Sequence, residues 1–350
     1  MHTFSKKHTD CAKGVACILL LLHHLFYNSP AYYEKFTPLL TLGGTPLACM
    51  LATLSKVCVA MFLILSGYGV AASLSKRSSD GNILSRSVRV SSRMIVKLLM
   101  SLWFVFLLFV PWQSFAGHWP YESLSHIPVD FLGLANIFST STMNDTWWYV
   151  SVALICYALT PLLNILVKKF PELSVAGTFC VLILLEGRLN ASVWFERVFW
   201  ICNYFIGLIA FEYGLFDRIA KFSDKNLVYR WFVSLALLGG AAWLRFNKGM
   251  IIDPLFAISL IVFAGVCLYS VPLITRLVQF IGRHSGNIFL MHTFVYLYNL
   301  GDVVYLPQYA LPIYLLCMTI CILISVAMEW LKKITRYNLA VKNLLNRISA

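Results

Sequence analysis

Asp10-Cys-Ala-Lys13-Gly14-Val-Ala-Cys-Ile-Leu-Leu-Leu-Leu-His23-His24-Leu-Phe-Tyr-Asn-Ser29 is the stretch whose reading decides the fold. It is an apolar run entered past a carboxylate and a cation and broken near its middle by two histidines. In an α-helix each residue turns the chain by about 100°, so Lys13 and His24, eleven positions apart, differ by three turns plus roughly 20° and face the same way. At ~1.5 Å per residue they are separated by about 16 Å along the axis, roughly half of a ~30 Å hydrocarbon core. A membrane helix built on this stretch carries a cation at one mouth and a titratable base near the midplane.

Composition makes the membrane reading general. The 350 residues are 59% hydrophobic and 12% charged, with a mean hydropathy of +0.76, against about 25% charged residues in soluble proteins. The net charge of +13 does not point to nucleic acid, because the basic residues lie between apolar runs and form no folded basic module. The ten cysteines have no C-x-x-C and no ligand spacing. They read as small buried hydrophobes, and no metal site is predicted. Lys6 and Lys7 before a short apolar run imitate a signal peptide, but the two histidines and the lack of an A-x-A site predict that the run is retained.

Ten segments qualify as membrane helices: 10–29, 56–74, 94–112, 147–167, 172–187, 195–213, 228–245, 251–272, 285–305 and 310–331. The fifth falls short of the ~20 residues a crossing needs, and 38–54, with Gly43, Gly44 and Pro46, reads as a re-entrant or surface segment. The expected fold is therefore all-α and polytopic, with about ten transmembrane helices. An even count places both termini on one side. All but six of the 28 Lys and Arg residues then fall on that side, the exceptions being Lys35, Lys56, Arg188, Arg197, Arg245 and Lys248. Such segregation marks the terminal side as cytoplasmic. Residues 1–331 form a single transmembrane domain with one long outer loop, 113–146, which is expected to be functional and partly packed on the membrane face. Residues 332–350 form a basic cytoplasmic tail lying near anionic membrane lipid.

An ionisable side chain at membrane depth is a functional candidate. His24 suits a general base near neutral pH; the alternative is a histidine bonded to a neighbouring helix for packing. His23 points about 100° away and serves to orient its neighbour or to meet another helix. Lys13 either snorkels to the inner headgroups or meets an anionic ligand on the face that leads to His24, with Asp10 three residues earlier able to hold it. Arg86, Arg89 and Arg93 share one side of a helix, as a phosphate-binding set or as an ordinary positive-inside segment. Near the outer end of the fourth helix, Trp147, Trp148 and Tyr149 form an aromatic belt or a stacking platform for sugar rings. His292 is a second midmembrane histidine.

Taken in order, these motifs resemble the acyltransferase-3 family of integral-membrane O-acyltransferases. The acidic residue, the basic residue with Gly, and the histidine eleven positions on are matched by Asp10, Lys13-Gly14 and His24, with Lys where Arg is more usual. Met61-Phe-Leu-Ile-Leu-Ser66-Gly67-Tyr68 is similar to the Phe-rich segment ending in Leu-Ser-Gly. The spaced arginines are matched by Arg86, Arg89 and Arg93, the fourth helix by Trp148-Tyr149-Val-Ser151-Val152 through Tyr157 to Pro161-Leu162, and the late Leu-x-His by Leu290-Met291-His292. The fourth helix continues Ala153-Leu-Ile155 where many members carry acidic residues, and Lys97 follows Arg93 in an altered arginine spacing.

The resemblance implies a multi-pass enzyme of a bacterial cytoplasmic membrane. It would transfer an acyl group, commonly acetyl, from cytoplasmic acyl-CoA to a hydroxyl of an envelope polysaccharide or lipid-linked sugar. It implies His24 as base with Asp10, Lys13 and His23 around it, the arginines and Lys13 as donor ligands, and Trp147, Trp148, Tyr149, Ser151, Tyr157 and His292 on the acceptor side. Direct transfer and an acyl-His intermediate both fit this arrangement. The rival reading is a glycan exporter or flippase of the same superfamily; the acidic residues Glu186, Glu196, Asp253, Asp302 and Glu329, all near helix ends, give it weak support.

Overall fold

A computed structural model describes residues 4–27, 34–76, 82–221 and 226–348. Residues 28 and 29 of the first expected span, and Arg77 and Lys225 of the inner-side cations, lie outside the described residues. The protein is 82% helical, and the all-α membrane fold expected from the apolar runs is what forms. In chain order the helices are α1 (Lys6–Leu25), α2 (Leu47–Ser55), α3 (Cys58–Ser75), α4 (Ile83–Phe115), α5 (His126–Phe131), α6 (Ala135–Phe138), α7 (Trp148–Lys169), α8 (Pro171–Leu185), α9 (Val193–Glu212), α10 (Leu215–Lys221), α11 (Leu227–Lys248), α12 (Asp253–Val262), α13 (Pro272–Thr293), α14 (Gly301–Tyr305), α15 (Ala310–Ile334) and α16 (Tyr337–Arg347). A two-residue hairpin, β1 (Thr41–Leu42) and β2 (Thr45–Pro46), precedes α2, so the ambiguous 38–54 stretch is a turn leading into a short helix.

Among the described residues six helical stretches are long and apolar enough to cross a membrane: Leu47–Ser75, Ile83–Phe115, Asp145–Lys169, Val193–Glu212, Leu227–Ser270 and Ala310–Ile334. The fifth of these, at 44 residues, is about twice the ~20 residues of one crossing. It is interrupted by Gly249 at φ +77, a left-handed backbone that favours glycine, so α11 and α12 are separate helices. Their junction buries an Arg245–Asp253 ion pair. α8, the segment expected to be marginal, is a 15-residue apolar helix.

The chain divides into two compact units. The first comprises Met1–His23, Thr53–Val90 and Leu159–Arg283, and its helices approach backbone to backbone at glycines. A Cβ on Gly67 of α3 would strike the Tyr204 carbonyl of α9, and one on Gly207 would strike that of Ile64. A Cβ on Gly14 of α1 would strike the Val278 carbonyl of α13, and one on Gly282 would strike that of Asp10. Small residues let helices approach closely where lipid provides no hydrophobic drive.

The second unit comprises His24–Ala52, Ser91–Ala158 and His284–Ala350. Here side chains make the contacts. α4 runs through Pro111 to Phe115, beyond the expected start of the outer loop, and the loop that follows folds around one carboxylate. Asp130 is buried and accepts from Tyr121 Oη at 2.7 Å, Thr142 Oγ1 at 2.7 Å and the Met143 amide at 2.8 Å. Burial pushes its carboxyl above the usual range against the opposing effect of those donors, and burial also raises the Tyr121 phenol. His126 Nδ1 lies 2.7 Å from Ser141 Oγ and closes the loop further.

The basic tail begins later than the charge pattern suggests, because Lys332 is a buried residue of α15. Its ammonium donates to Asn287 Oδ1 at 2.8 Å and Glu329 Oε1 at 2.7 Å and lies 5.0 Å from the centre of the Phe104 ring. A lysine so placed needs acceptors, since an unpaired buried charge is costly. α16 is then tied to α4: Arg93 Nη1 donates to the Leu345 carbonyl at 2.9 Å and Tyr337 Oη to that of Met100 at 2.7 Å.

Candidate active site

α1 is one continuous helix through Lys13 and His24, so the eleven-residue spacing that puts both on one helix face is realised. In the first unit, Asp10 and Lys13 are half-buried beside the Gly14 and Gly282 approach. That approach gives a packing reason for the glycine after Lys13. His23 is 9% exposed and belongs to the first unit, while His24 opens the second.

In the second unit His24 meets His292. The ring centres are 4.8 Å apart, with 52° between the planes. Tyr296 stacks on His292 at 6.0 Å and 23°, and its ring centre is 6.3 Å from that of His24. His292 is fully buried, at 0% exposure, whereas His24 is half-buried. His292 Nδ1 lies 3.1 Å from the Ile288 carbonyl and 2.9 Å from that of Phe289. Carbonyls only accept, so Nδ1 carries the proton, and in the neutral ring the lone pair is on Nε2. The pair thus presents imidazole nitrogen chemistry inside a shell of aromatic rings.

The backbone changes form where the site is built. Past His292 the helix widens into a π-helical stretch, Phe294–Asn299, closed by Asn299 Nδ2 donating to the Phe294 carbonyl at 2.9 Å. Single π turns inside helices recur at functional sites. This one places Tyr296 against the histidines. Tyr296 was accessible in principle from sequence, being four residues after His292 and hence on the same helix side.

The residues expected on the acceptor side hold several positions. Trp147 is buried; its indole N–H donates to the Leu290 carbonyl at 3.0 Å, and its ring contacts Phe106 and Phe294. Its ring faces are used within the protein, two residues from His292. Trp148 and Tyr149 are half-buried, with Tyr149 against Phe289 at 4.8 Å. Ser151 is buried and donates to the Gly133 carbonyl at 2.6 Å, which ties α7 to the loop between α4 and α7. Tyr157 is half-buried and its carbonyl accepts from Ser91 Oγ. The turn into α7 is capped by Asn144, whose Oδ1 accepts from the amide of Thr146 at 3.0 Å and from its hydroxyl at 2.7 Å. Thr146 Oγ1 in turn lies 3.2 Å from Thr293 Oγ1, next to His292.

Of the arginines, Arg86 and Arg89 lie in the first unit and Arg93 in the second, all half-buried on α4. Sequence reasoning passed over a polar network on the lower part of α13. His284 Nδ1 is 2.8 Å from Ser325 Oγ, and Asn287 Nδ2 donates to Ser325 Oγ at 3.0 Å and to Glu329 at 2.9 Å. Its one sequence signal was the Glu329 and Lys332 pair at i, i+3.

Comparison with the curated proteins gave no match, and comparison with the solved structures gave none. A family model described as an acyltransferase domain, Acyl_transf_3, matches residues 8–330, nearly the whole chain. It thus spans α1 with His24, α4 with the arginines, and α13 with His292, and the chain belongs to that acyltransferase family.

Proposed function

We propose that the protein moves an acyl group, acetyl in the first instance, from cytoplasmic acyl-CoA to a hydroxyl of an envelope polysaccharide or lipid-linked sugar. In this reading the chain crosses a bacterial inner membrane ten times with both ends in the cytoplasm, a topology supported by the segregation of Lys and Arg. The observation that carries the chemistry is the meeting of His24 with His292 and Tyr296. An acyltransferase needs a base for the acceptor hydroxyl, and two imidazoles in contact at the ends of α1 and α13, one of them fully buried, have a cost that function justifies.

In the proposed step His24 removes the hydroxyl proton as the oxygen attacks the thioester carbonyl. The C–S bond breaks, the acyl–oxygen bond forms, and the CoA thiolate leaves with the proton from the imidazolium. His292, its Nδ1 fixed on two carbonyls, and His23 orient the reacting ring. In the first unit Lys13, steadied by Asp10, is offered with Arg86 and Arg89 as a phosphate ligand of the donor, and in the second unit Arg93 is offered likewise, as guanidinium and ammonium groups bind phosphate. Trp148 and Tyr149 offer the acceptor ring its apolar contact, while Trp147, Ser151 and Tyr157 hold the outer end of α7.

The test uses full-length protein in lipid nanodiscs with acetyl-CoA and a glycoside acceptor, reading free thiol and acetylated product together. Thiol release that depends on acceptor is expected. Absence of thiol release, together with an unfolding temperature unmoved by acetyl-CoA, would overturn the enzymatic reading.

A further inference from the structure

Gln113, in the last turn of α4, is 0% exposed. Among the described residues neither its Oε1 nor its Nε2 has a hydrogen-bond partner. A buried amide left unsatisfied costs about 1–3 kcal/mol per group, so its persistence in a fold asks what polar group it serves.

Its surroundings, all in the second unit, answer by position. One turn earlier on α4, Phe109 stacks on Phe294 at 4.8 Å and 17°. The preceding residue, Trp112, donates its indole N–H to Asn299 Oδ1 at 3.2 Å. Gln113 is therefore held alongside the π-helical stretch Phe294–Asn299, the continuation of the helix that carries His292. Tyr296, in the middle of that stretch, stacks on His292. The chain then turns back: the His118 amide donates to the Gln113 carbonyl at 2.9 Å, and the His118 ring lies 6.1 Å from that of Tyr298. This turn is exposed.

A primary amide presents an acceptor and two donors. A hydroxyl is the simplest partner for both sides of it, since it donates and accepts through one oxygen. Gln113 lies beyond Phe109 by four helical residues, ~6 Å along α4, on the outward side of the level at which Phe109 meets Phe294. A polyol whose reacting hydroxyl sits at the histidines would present a second hydroxyl in that direction.

We propose that Gln113 determines acceptor specificity by binding a second hydroxyl of a polyhydroxylated acceptor while the first reacts at the His24–His292 pair. The proposal rests on the acyl-transfer reading above and is specific to the acceptor half of it. Without the amide, the site would lose one point of hydroxyl recognition.

The test compares kcat/KM for p-nitrophenyl β-D-glucopyranoside and for cyclohexanol, with acetyl-CoA as donor, in wild type and Gln113→Leu in nanodiscs. Wild type is expected to prefer the glycoside, and the leucine variant to lower that ratio about tenfold, with Gln113→Asn restoring part of it. An unfolding temperature equal to or above that of wild type is expected for Gln113→Leu, because an apolar side chain of similar size relieves a buried unsatisfied amide. A ratio within twofold of wild type, or a lowered unfolding temperature with both substrates losing rate equally, would overturn the proposal and make Gln113 a packing residue. Wild type that acetylates neither alcohol and releases no thiol would instead contradict the acyl-transfer reading itself.

Discussion

Both compact units are laced by rings, hydrogen bonds and buried charges, but among the described residues the backbone-close glycine crossings of helix on helix lie in the first. In the first, α1 meets α13 and α3 meets α9 at glycines whose missing Cβ is the space into which a neighbouring carbonyl fits. In the second, the contacts are rings and hydrogen-bonding side chains: His24 on His292, Trp147 on Leu290 and Phe294, Asp130 under its three donors, and Lys332 between Asn287 and Glu329. A backbone-close crossing admits almost no adjustment and offers no functional group. A side-chain interface uses its polar atoms for geometry and leaves some for chemistry. The first kind should fail when atoms are added, and the second when atoms are removed.

The largest effect should come from addition in the first unit. Gly282→Leu forces a side chain against the Asp10 carbonyl and should abolish recovery of monodisperse protein on size exclusion. By contrast Gly286, four residues on in the same helix, has open space where a Cβ would stand, with nothing within 4 Å. It should accept alanine and gain up to about 1 kcal/mol of helix propensity. Equal yields of Gly282→Leu and wild type would break the contrast.

Removal in the second unit should come next. Asp130→Ala leaves Tyr121, Thr142 and the Met143 amide without their acceptor and should cost about 3 kcal/mol, read as faster proteolysis of the outer loop. Asp130→Asn should cost less, because burial already favours the neutral carboxyl. The sign of the pH dependence follows from that raised value. The folded loop keeps its proton to a higher pH than the unfolded chain, so stability from Asp130 falls as pH rises from about 3.9 through the raised value and is level above it. Protease resistance should be greatest at the acid end of that window, and Asp130→Asn should flatten the slope.

A smaller loss is expected at Lys332. Lys332→Met keeps the stem against Phe104 but leaves Asn287 Oδ1 and Glu329 Oε1 without the ammonium. Glu329 can turn to solvent, its side chain being 44% exposed, which limits the cost to roughly 2 kcal/mol. The unfolding temperature reads it, and an unchanged value would mean that the network carries no stability.

The legibility of the sequence follows the same division. Apolar runs and helical spacing report one helix at a time, so α1 with Lys13 and His24 on one face, and α15, could be read directly. Which helix a side chain meets is a tertiary fact. His24 and His292 stood out only as two expensive residues 268 positions apart in the numbering, and nothing in local pattern joins them. Trp147 read as a belt or stacking residue because Trp is common at interfaces; its indole N–H is instead satisfied by a carbonyl on α13. Asp130 lies in a helix of 6 residues and Gln113 in the last turn of α4, too short a stretch and too near an end for periodicity to assign a face. The break of α13 into a π-helical stretch, which seats Tyr296 on His292, has no signature in hydropathy at all.

The pairing of His24 with His292 is tested most directly by single-turnover acetyl transfer from acetyl-CoA, in nanodiscs, for wild type, His24→Ala and His292→Ala of matched yield and unfolding temperature. His24→Ala should lose about 10²–10⁴-fold in rate, the usual worth of a general base, with donor affinity retained, and His292→Ala should lose less. A His24→Ala variant that folds and transfers acetyl at the wild-type rate would contradict the assignment of His24 as the base.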